Sequence, residues 1–339
     1  MVNKKIKILF LLKKRVYCGN SYGLKVSCEM VAKALKDYEI ESKIITIIDG
    51  NDIDREVHKF KPDICFLEAI WVTPTKLEEI LKLHKKTHFD VRIHSKVEFL
   101  AQESLSFTWL AEYKKLSQSY HNFSISANNL DFIKEMNSTL GYEMEYTPNI
   151  YPIQHGLQVN TKPIGNILSV GAFGALRILK NHLQMALGAI KVADNLDIKL
   201  RFHINDSSTI EKEGNPIKKN LIAIFKDTSH QLIINNWEHH GDFVQIVKSM
   251  DIGLQISMSE SFNLTAADFV AHGIPVVGSS EIKFLSPWYQ AEPTNFQDIV
   301  EKIEFAIKYK TWGIHLLNEI KLKKHNKQAI QDWVRYIFT

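Results

Sequence analysis

The residues best suited to chemistry form one stretch, Ser259-Glu260-Ser261-Phe262-Asn263-Leu264-Thr265-Ala266-Ala267-Asp268, which runs on to Gly273-Ile274-Pro275-Val276-Val277. Apolar periodicity predicts a helix over Leu264–Ala271, lying between strands at Ile252–Ile256 and Ile274–Val277. Phe262 to Thr265 then form its first turn, where unpaired backbone N–H groups and the helix dipole favour a negatively charged group such as a diphosphate. Glu260, just ahead of that turn, can accept hydrogen bonds from sugar hydroxyls beside the diphosphate. Asp268, a turn or more into the helix on the same face, can accept from a ribose diol. A second cluster, Arg177 and Lys180-Asn181, follows the glycine-bearing run Val170-Gly171-Ala172-Phe173-Gly174. A phosphate calls for such cations, with Arg as a bidentate fork and Lys as a point charge.

Together these motifs resemble the signature of the retaining GT-B glycosyltransferases, the family 4-like group related to the glycogen and sucrose synthases. In that group a Glu ends a strand, a Phe-Gly-Leu-like turn opens a helix, a second Glu lies eight residues after the first, and Gly-Ile/Val-Pro-Val begins the next strand. Here the spacing holds from Glu260 to Asp268, with Asp in place of the second Glu and Asn263 in place of the turn glycine. Asn tolerates left-handed backbone geometry better than other residues with a side chain, which lets the turn form. Ala172 stands where the group has an Arg after Val-Gly, and Arg177 is the nearest cation to take its task.

The resemblance implies a fold of two Rossmann-like βα domains facing a cleft. It also implies transfer of a hexose or pentose from a nucleoside diphosphate sugar to an acceptor, with retention of configuration and without metal. A UDP-sugar is favoured over a GDP-sugar, and no further cofactor is implied. The catalytic set would be Glu260, Arg177, Lys180 and His94, the last ending the strand of Val91-Arg92-Ile93-His94 where the group commonly has a His facing the donor sugar. The donor-binding set would be Gly19, Gly171, Trp237, Ser261, Phe262, Asn263, Leu264, Thr265 and Asp268. Gly19 belongs to Cys18-Gly19-Asn20-Ser21-Tyr22-Gly23, in the position of the group's glycine loop, and Trp237 lies where the nucleotide base docks. Pro148-Asn149 resembles the group's interdomain hinge. Glu68 and Glu103 are lesser acidic candidates on the acceptor side. Metal ligation has no motif: His239 and His240 are adjacent and cannot share a helix face, and no DxD triplet ends a strand.

Apolar runs alternating with stretches of helical period must position these groups, and that alternation is the sequence form of a parallel α/β sheet. In the first half, strands are expected at Ile6–Leu12, Ser42–Ile48, Asp63–Trp71, Val91–His94 and Asn122–Ser126. Helices are expected at Val26–Lys36, Thr75–Lys86, Glu98–Lys115 and Leu130–Leu140. Tyr146 to Ile164 carries three prolines and no helical period, and reads as a linker. Strands at Ile167–Val170, Lys199–Ile204 and Gln231–Ile234 then join the two already named. Helices at His182–Val192, Pro216–Phe225, Asp242–Met250 and Phe296–Lys308 complete the second set. The expected division is an acceptor-binding domain over 1–150, a nucleotide-sugar domain over 151–310, and C-terminal helices over 311–339 that pack back on the first domain.

The composition sets the outer bounds. With 339 residues, 45% of them hydrophobic and 24% charged, the chain is globular, and disordered and collagen-like classes are excluded. Forty-two Lys and Arg against 38 Asp and Glu leave a net charge of +4, spread along the whole length. Two other readings rest on that charge: transfer of a sugar to a modified base in DNA instead of to a glycan or lipid, and a non-catalytic nucleic-acid-binding protein. The second wants a concentrated basic stripe, which the sequence lacks; in the first, scattered Lys and Arg around the N-terminal cleft would meet the phosphates. Three cysteines, an odd number without CxxC spacing, suit a reducing cytoplasmic compartment. The run Ile8 to Leu12 is too short for a membrane span.

Overall fold

The structure is a computed structural model and describes residues 5–14, 22–153, 156, 163–206 and 214–338. Gly19 and its loop lie outside the described residues. The chain divides into two compact units, one of Met1–Pro152 with Asn326–Thr339, the other of Ile153–His325. The division falls inside the proline-bearing segment at the first crossing and inside the last helix at the second. Residues 311–325 lie in the second unit.

The first unit is built on strands β1 (Ile6–Lys13), β2 (Ile40–Ile47), β3 (Ile64–Glu68), β4 (His88–Ile93), β5 (Phe123–Ala127) and β6 (Glu145–Tyr146). They form a parallel sheet in the order β2-β1-β3-β4-β5-β6. Its helices are α1 (Tyr22–Ala34), α2 (Asp52–Phe60), α3 (Pro74–Leu83), α4 (Val97–Leu100), α5 (Ser106–Ser119) and α6 (Leu130–Leu140). Strand alternation sends Leu9, Leu11, Cys65, Leu67, Phe89 and Val91 into one buried layer with Leu77, Ile80, Leu110 and Phe132 from the helices. The opposite face, Ile8, Phe10, Leu12 and Phe66, packs on Cys28 and Val31 of α1 and on Ala329, Trp333 and Ile337. These last three belong to the C-terminal helix, Leu316–Phe338, which begins in the second unit and ends in the first.

The second unit has strands β7 (Ile167–Gly171), β8 (Lys199–Asn205), β9 (Gln231–Asn235), β10 (Ile252–Gln255) and β11 (Val276–Gly278). These are also parallel, in the order β11-β10-β7-β8-β9. Its helices are α7 (His182–Asn195), α8 (Gly214–Lys226), α9 (His240–Lys248), α10 (Leu264–Ala271) and α11 (Phe296–Lys308), and the C-terminal helix is α12. The two sheets are Rossmann-like, and each reverses its strand order once, between β1 and β3 in the first and between β7 and β10 in the second. In open α/β sheets ligands bind outside the carboxyl ends of the strands at such a reversal.

Several expectations need correction. The strand read as Asp63–Trp71 stops at Glu68, because Ala69 turns to a φ of 76° and Trp71 Nε1 donates back to the Glu68 carbonyl at 2.9 Å. The helix read as Glu98–Lys115 is two, α4 and α5, separated where the Ser106 hydroxyl donates to Glu103 Oε2 at 3.1 Å. Helix α2 was not foreseen, since most of its residues are charged and three, Ile53, Glu56 and Val57, are buried. The last strand starts at Val276, after Pro275, which has no N–H to give a ladder.

Candidate active site

The second sheet's reversal point is built from the ends of β7 and β10. Gly171 closes β7 and Gly253 lies in β10. A Cβ at Gly171 would meet the Phe173 ring at 2.4 Å and the Phe269 ring at 2.9 Å, and a Cβ at Gly253 would meet the Phe269 ring at 2.5 Å. The missing side chains let Phe269, and with it α10, lie directly on the strands. Phe173 stacks on Phe269 at 6.0 Å and takes Phe243 of α9 edge-on at 5.2 Å.

Asn263 caps α10: its side-chain oxygen accepts from the Ala266 N–H at 2.7 Å. Its backbone, at φ −102° and ψ 102°, is extended and not left-handed, so Asn replaces the turn glycine by capping. The helix accordingly opens at Leu264, with Phe262 ahead of it. The other end of the same carboxamide ties the site together. Asn263 Nδ2 donates to Glu260 Oε1 at 2.8 Å and to Gln255 Oε1 at 2.9 Å, while Gln255 Nε2 donates to the Phe173 carbonyl at 3.0 Å. Ser257 Oγ also donates to Glu260 Oε1, at 2.8 Å.

Lys180 makes an ion pair with that same Glu260 carboxylate. It stands in a short turn, Ile178–Lys180, whose N–H at Lys180 bonds the Arg177 carbonyl at 3.0 Å. Asn181, left-handed at φ 61°, fixes the turn by donating to the carbonyls of Ile256 at 3.2 Å and Pro293 at 2.9 Å. Met258 N–H closes the attachment on the Leu179 carbonyl at 2.8 Å. The pair is asymmetric: the Glu260 side chain is 7% exposed and that of Lys180 24%. One turn along α10, Asp268 Oδ1 lies 2.7 Å from Nε2 of His240, the first residue of α9. Burial, with Lys180 nearby, lowers the next histidine, His182, to about 3, so it is a neutral core residue.

Of the residues singled out from the sequence, the structure therefore brings Gly171, Lys180, Glu260 and Asn263 into one bonded or packed group, with Asp268 further along α10 bonded to His240. Arg177 adjoins that group through the backbone. Ser261, Phe262, Leu264 and Thr265 follow Glu260 and are half-buried, with Phe262 tilted against Phe284 at 5.3 Å. Trp237 is half-buried in the loop between β9 and α9. Gln255, Ser257 and His240 were overlooked, although a Gln closing an apolar strand is a visible departure from pattern.

His94 is in the first unit, at the end of β4, and joins a buried charge cluster at that sheet's reversal point. Its Nε2 bonds the Glu68 carboxylate, and Nδ1 lies 3.5 Å from Asn128 Nδ2. Arg92, fully enclosed, donates to Glu68 at 3.3 Å, to the Thr147 carbonyl at 2.9 Å and to Asn149 Oδ1 at 2.7 Å. Its guanidinium lies 5.1 Å from the Trp333 ring. Burial alone would raise the Glu68 carboxyl, but Arg92 and His94 outweigh it and the carboxyl ends below its ordinary value. Burial and then Arg92 push His94 down, which favours the neutral imidazole. Since an ionised carboxylate only accepts, the His94 proton sits on Nε2. Arg92 went unremarked in the sequence, where its signal is the alternation Asp90, Arg92, His94 through an otherwise apolar strand.

Among the described residues no group of three or more His, Cys, Asp or Glu is placed to hold a metal ion, and no helix is long and apolar enough to cross a membrane. No protein-family model and no curated protein matches the sequence. Solved structures do match the fold. HepE of Anabaena, in complex with UDP-glucose, is 15% identical and superposes with a TM-score of 0.67 over 97% of this chain and 100% of that one. Sucrose-phosphate synthase of Thermosynechococcus elongatus is 11% identical, with a TM-score of 0.70 over 98% of each chain. A UDP-forming trehalose-phosphate synthase of Burkholderia xenovorans is 11% identical, with a TM-score of 0.68 over 98% of each. The chain has the α/β fold of these proteins, two Rossmann-like domains in the GT-B arrangement of elements.

Proposed function

We propose that the protein is a glycosyltransferase that moves a sugar from a UDP-sugar to a hydroxyl of a glycan or lipid acceptor, with retention of configuration and without a divalent ion. The observation that carries this reading is the Glu260–Lys180 pair at the reversal point of the second sheet, with its carboxylate enclosed and its lysine side chain partly exposed. An ammonium has three N–H donors, so Lys180 can hold Glu260 with one and offer others to a phosphate oxygen. As the sugar–phosphate bond breaks, negative charge grows on the diphosphate. Lys180, Arg177 and the positive dipole end of α10 are the groups that would stabilise it, which is the main catalytic contribution here. Glu260, fixed by three donors, would accept from sugar hydroxyls and hold the ring in register. The UDP-glucose held by HepE supports a UDP-sugar donor, and the cations Lys180 and Arg177 are groups that could offset the diphosphate charge without a metal.

The test is release of UDP from a panel of UDP-sugars, in EDTA, by the native protein and Glu260→Gln. The native protein should turn over at least one sugar, and the variant should be slower by about 10²–10³-fold, the loss typical of one preorganised polar contact at a reacting centre. An equally active Glu260→Gln would overturn the site assignment, and activity only with added Mn²⁺ the metal-free mechanism.

A further inference from the structure

We infer that the aromatic, lysine-flanked face formed by the end of α11 and the start of α12 docks on a lipid bilayer that carries anionic headgroups. Four rings run in contact along this face. Trp288 stacks on Phe305 at 5.7 Å, Phe305 lies 4.7 Å from Tyr309, and Tyr309 takes Trp312 edge-on at 5.3 Å. The outer rings meet solvent, Trp288 at 59% exposure and Trp312 at 75%. Leu317 and Ile320, 44% and 51% exposed, follow three residues apart on one face of α12. Single exposed apolar residues are ordinary, but a connected row of them marks a surface that meets a partner. The row is firmly held: Lys310, 2% exposed, donates to Asp251 Oδ1 at 2.8 Å, and Gly313, left-handed at φ 74°, ends the turn that carries Trp312. Asp251 immediately precedes β10, whereas Glu260 follows its carboxyl end. The face therefore lies at the amino end of the second sheet, and docking there leaves the Glu260–Lys180 pair uncovered.

Charge around the rings selects the occupant. Residues 301–325 hold six lysines against three glutamates. Glu319 is buried beneath Lys323, while Glu304 accepts from Asn195 at 2.8 Å and Glu301 from Gln297 at 3.0 Å. Lys308, exposed, lies 5.2 Å from the centre of the Tyr309 ring, and Lys324, also exposed, stands one turn beyond Ile320 on the same side of α12. Trp and Tyr place an apolar body against acyl chains and a polar N–H or O–H among headgroups, and lysines beside them reach lipid phosphates along their apolar stems. A second copy docked by the same face would set these lysines against one another. A nucleic-acid strand would stack on the rings but gain nothing from Leu317 and Ile320, whose aliphatic side chains suit hydrocarbon. The inference concerns where the protein docks and stands apart from the sugar-transfer reading.

The experiment is cosedimentation of the full chain with vesicles of pure phosphatidylcholine and of phosphatidylcholine mixed with phosphatidylglycerol. The native protein should sediment with the mixed vesicles, bind the neutral ones more weakly, and be released from the mixed vesicles as salt is raised. Trp312→Ala should weaken binding to mixed vesicles about tenfold, the effect of keeping one large side chain in water. Lys308→Gln combined with Lys324→Gln should weaken it by about fivefold per lysine, and these two exposed positions carry no core packing. Both variants should keep the native melting temperature and, by calorimetry, the native response to UDP. Native protein that stays in the supernatant of the mixed vesicles, or variants that sediment as the native protein does, overturn the inference. So does a native dimer or an oligonucleotide complex, formed without vesicle binding and abolished by Trp312→Ala, which would give the face to a second copy or to nucleic acid.

Discussion

At the end of β3, Glu68 and Arg92 are both sealed from solvent, each with a side-chain exposure of 0%, and they neutralise each other. At the end of β10 only the carboxylate of the Glu260–Lys180 pair is sealed, and the same holds for Asp268 beneath His240. Both sheets are parallel and both place charge at a strand-order reversal, so topology does not set the difference. What separates them is the direction each cation faces. A guanidinium that spends its donors on Glu68, Thr147 and Asn149 holds loops together, whereas the Lys180 ammonium, resting on a buried acid, keeps capacity for a ligand. The first arrangement is architecture, and the second is a surface that attracts anions and hydroxyls.

The largest expected effect tests the sealed pair. Arg92→Leu leaves Glu68 buried without its main counter-charge and should cost about 3–5 kcal/mol of stability by urea unfolding. A loss under about 1 kcal/mol would remove the distinction drawn here. The half-open pair should respond mainly in binding: Lys180→Ala should weaken UDP binding by about 1.5–3 kcal/mol, the range for hydrogen bonds to charged groups, with a smaller loss in unfolding than Arg92→Leu because Ser257 and Asn263 still donate to Glu260. Calorimetry beside a thermal melt measures both, and unaltered UDP affinity would count against the phosphate role.

A third effect is a slope, small at any one pH step. Asp90 lies in β4 beside Arg92, and burial raises it from 3.8 to about 7, although Ser124, Ser126 and Tyr336 donate to it. Between about pH 4 and 7 the folded chain therefore holds a proton that the unfolded chain releases. Its contribution to stability is complete below the ordinary carboxylate range and is lost as pH rises through 7, at up to about 1.4 kcal/mol per pH unit. Glu68, shifted downward, acts in the opposite sense and loses its contribution as pH falls. Asp90→Asn should flatten the fall across pH 4.5 to 7.5 in urea unfolding, and a slope parallel to the native one would refute this.

Much of the framework was legible because parallel strands covered on both faces read as unbroken apolar runs. Three helices, α6, α10 and α11, have the bounds expected of them, and each follows an Asn, at 129, 263 and 295, whose side chain accepts from the backbone N–H three residues on. Local chemistry of that kind is written in consecutive residues. Helix α2 escaped because its apolar stripe, Ile53, Val57 and Phe60, is short and set among charged residues, so it stands out only once packed on the core. In the site, Glu260, Lys180 and Asp268 were visible as motif residues, but their partners were not. Asp268 and His240 are 28 positions apart and Glu68 and Arg92 are 24 apart, in separate elements, and nothing local joins them.

The C-terminal helix gives the chain a particular order of assembly. A ribosome finishes all six strands of the first sheet, and then the whole second unit, before it adds Trp333 and Tyr336. Until that moment Phe10 and Phe66 lack the ring that later packs edge-on against both, Arg92 lacks its aromatic cover, and the Pro148 carbonyl lacks the indole N–H that reaches it at 2.7 Å. Asn326, which will clasp Tyr151 by both its N–H and its carbonyl, is also still to come. The unit begun first is thus completed last, and through most of synthesis it presents an unfinished apolar face of the kind that chaperones recognise. A chain that stopped short of Trp333 would carry a finished second unit tethered to a first unit that cannot close.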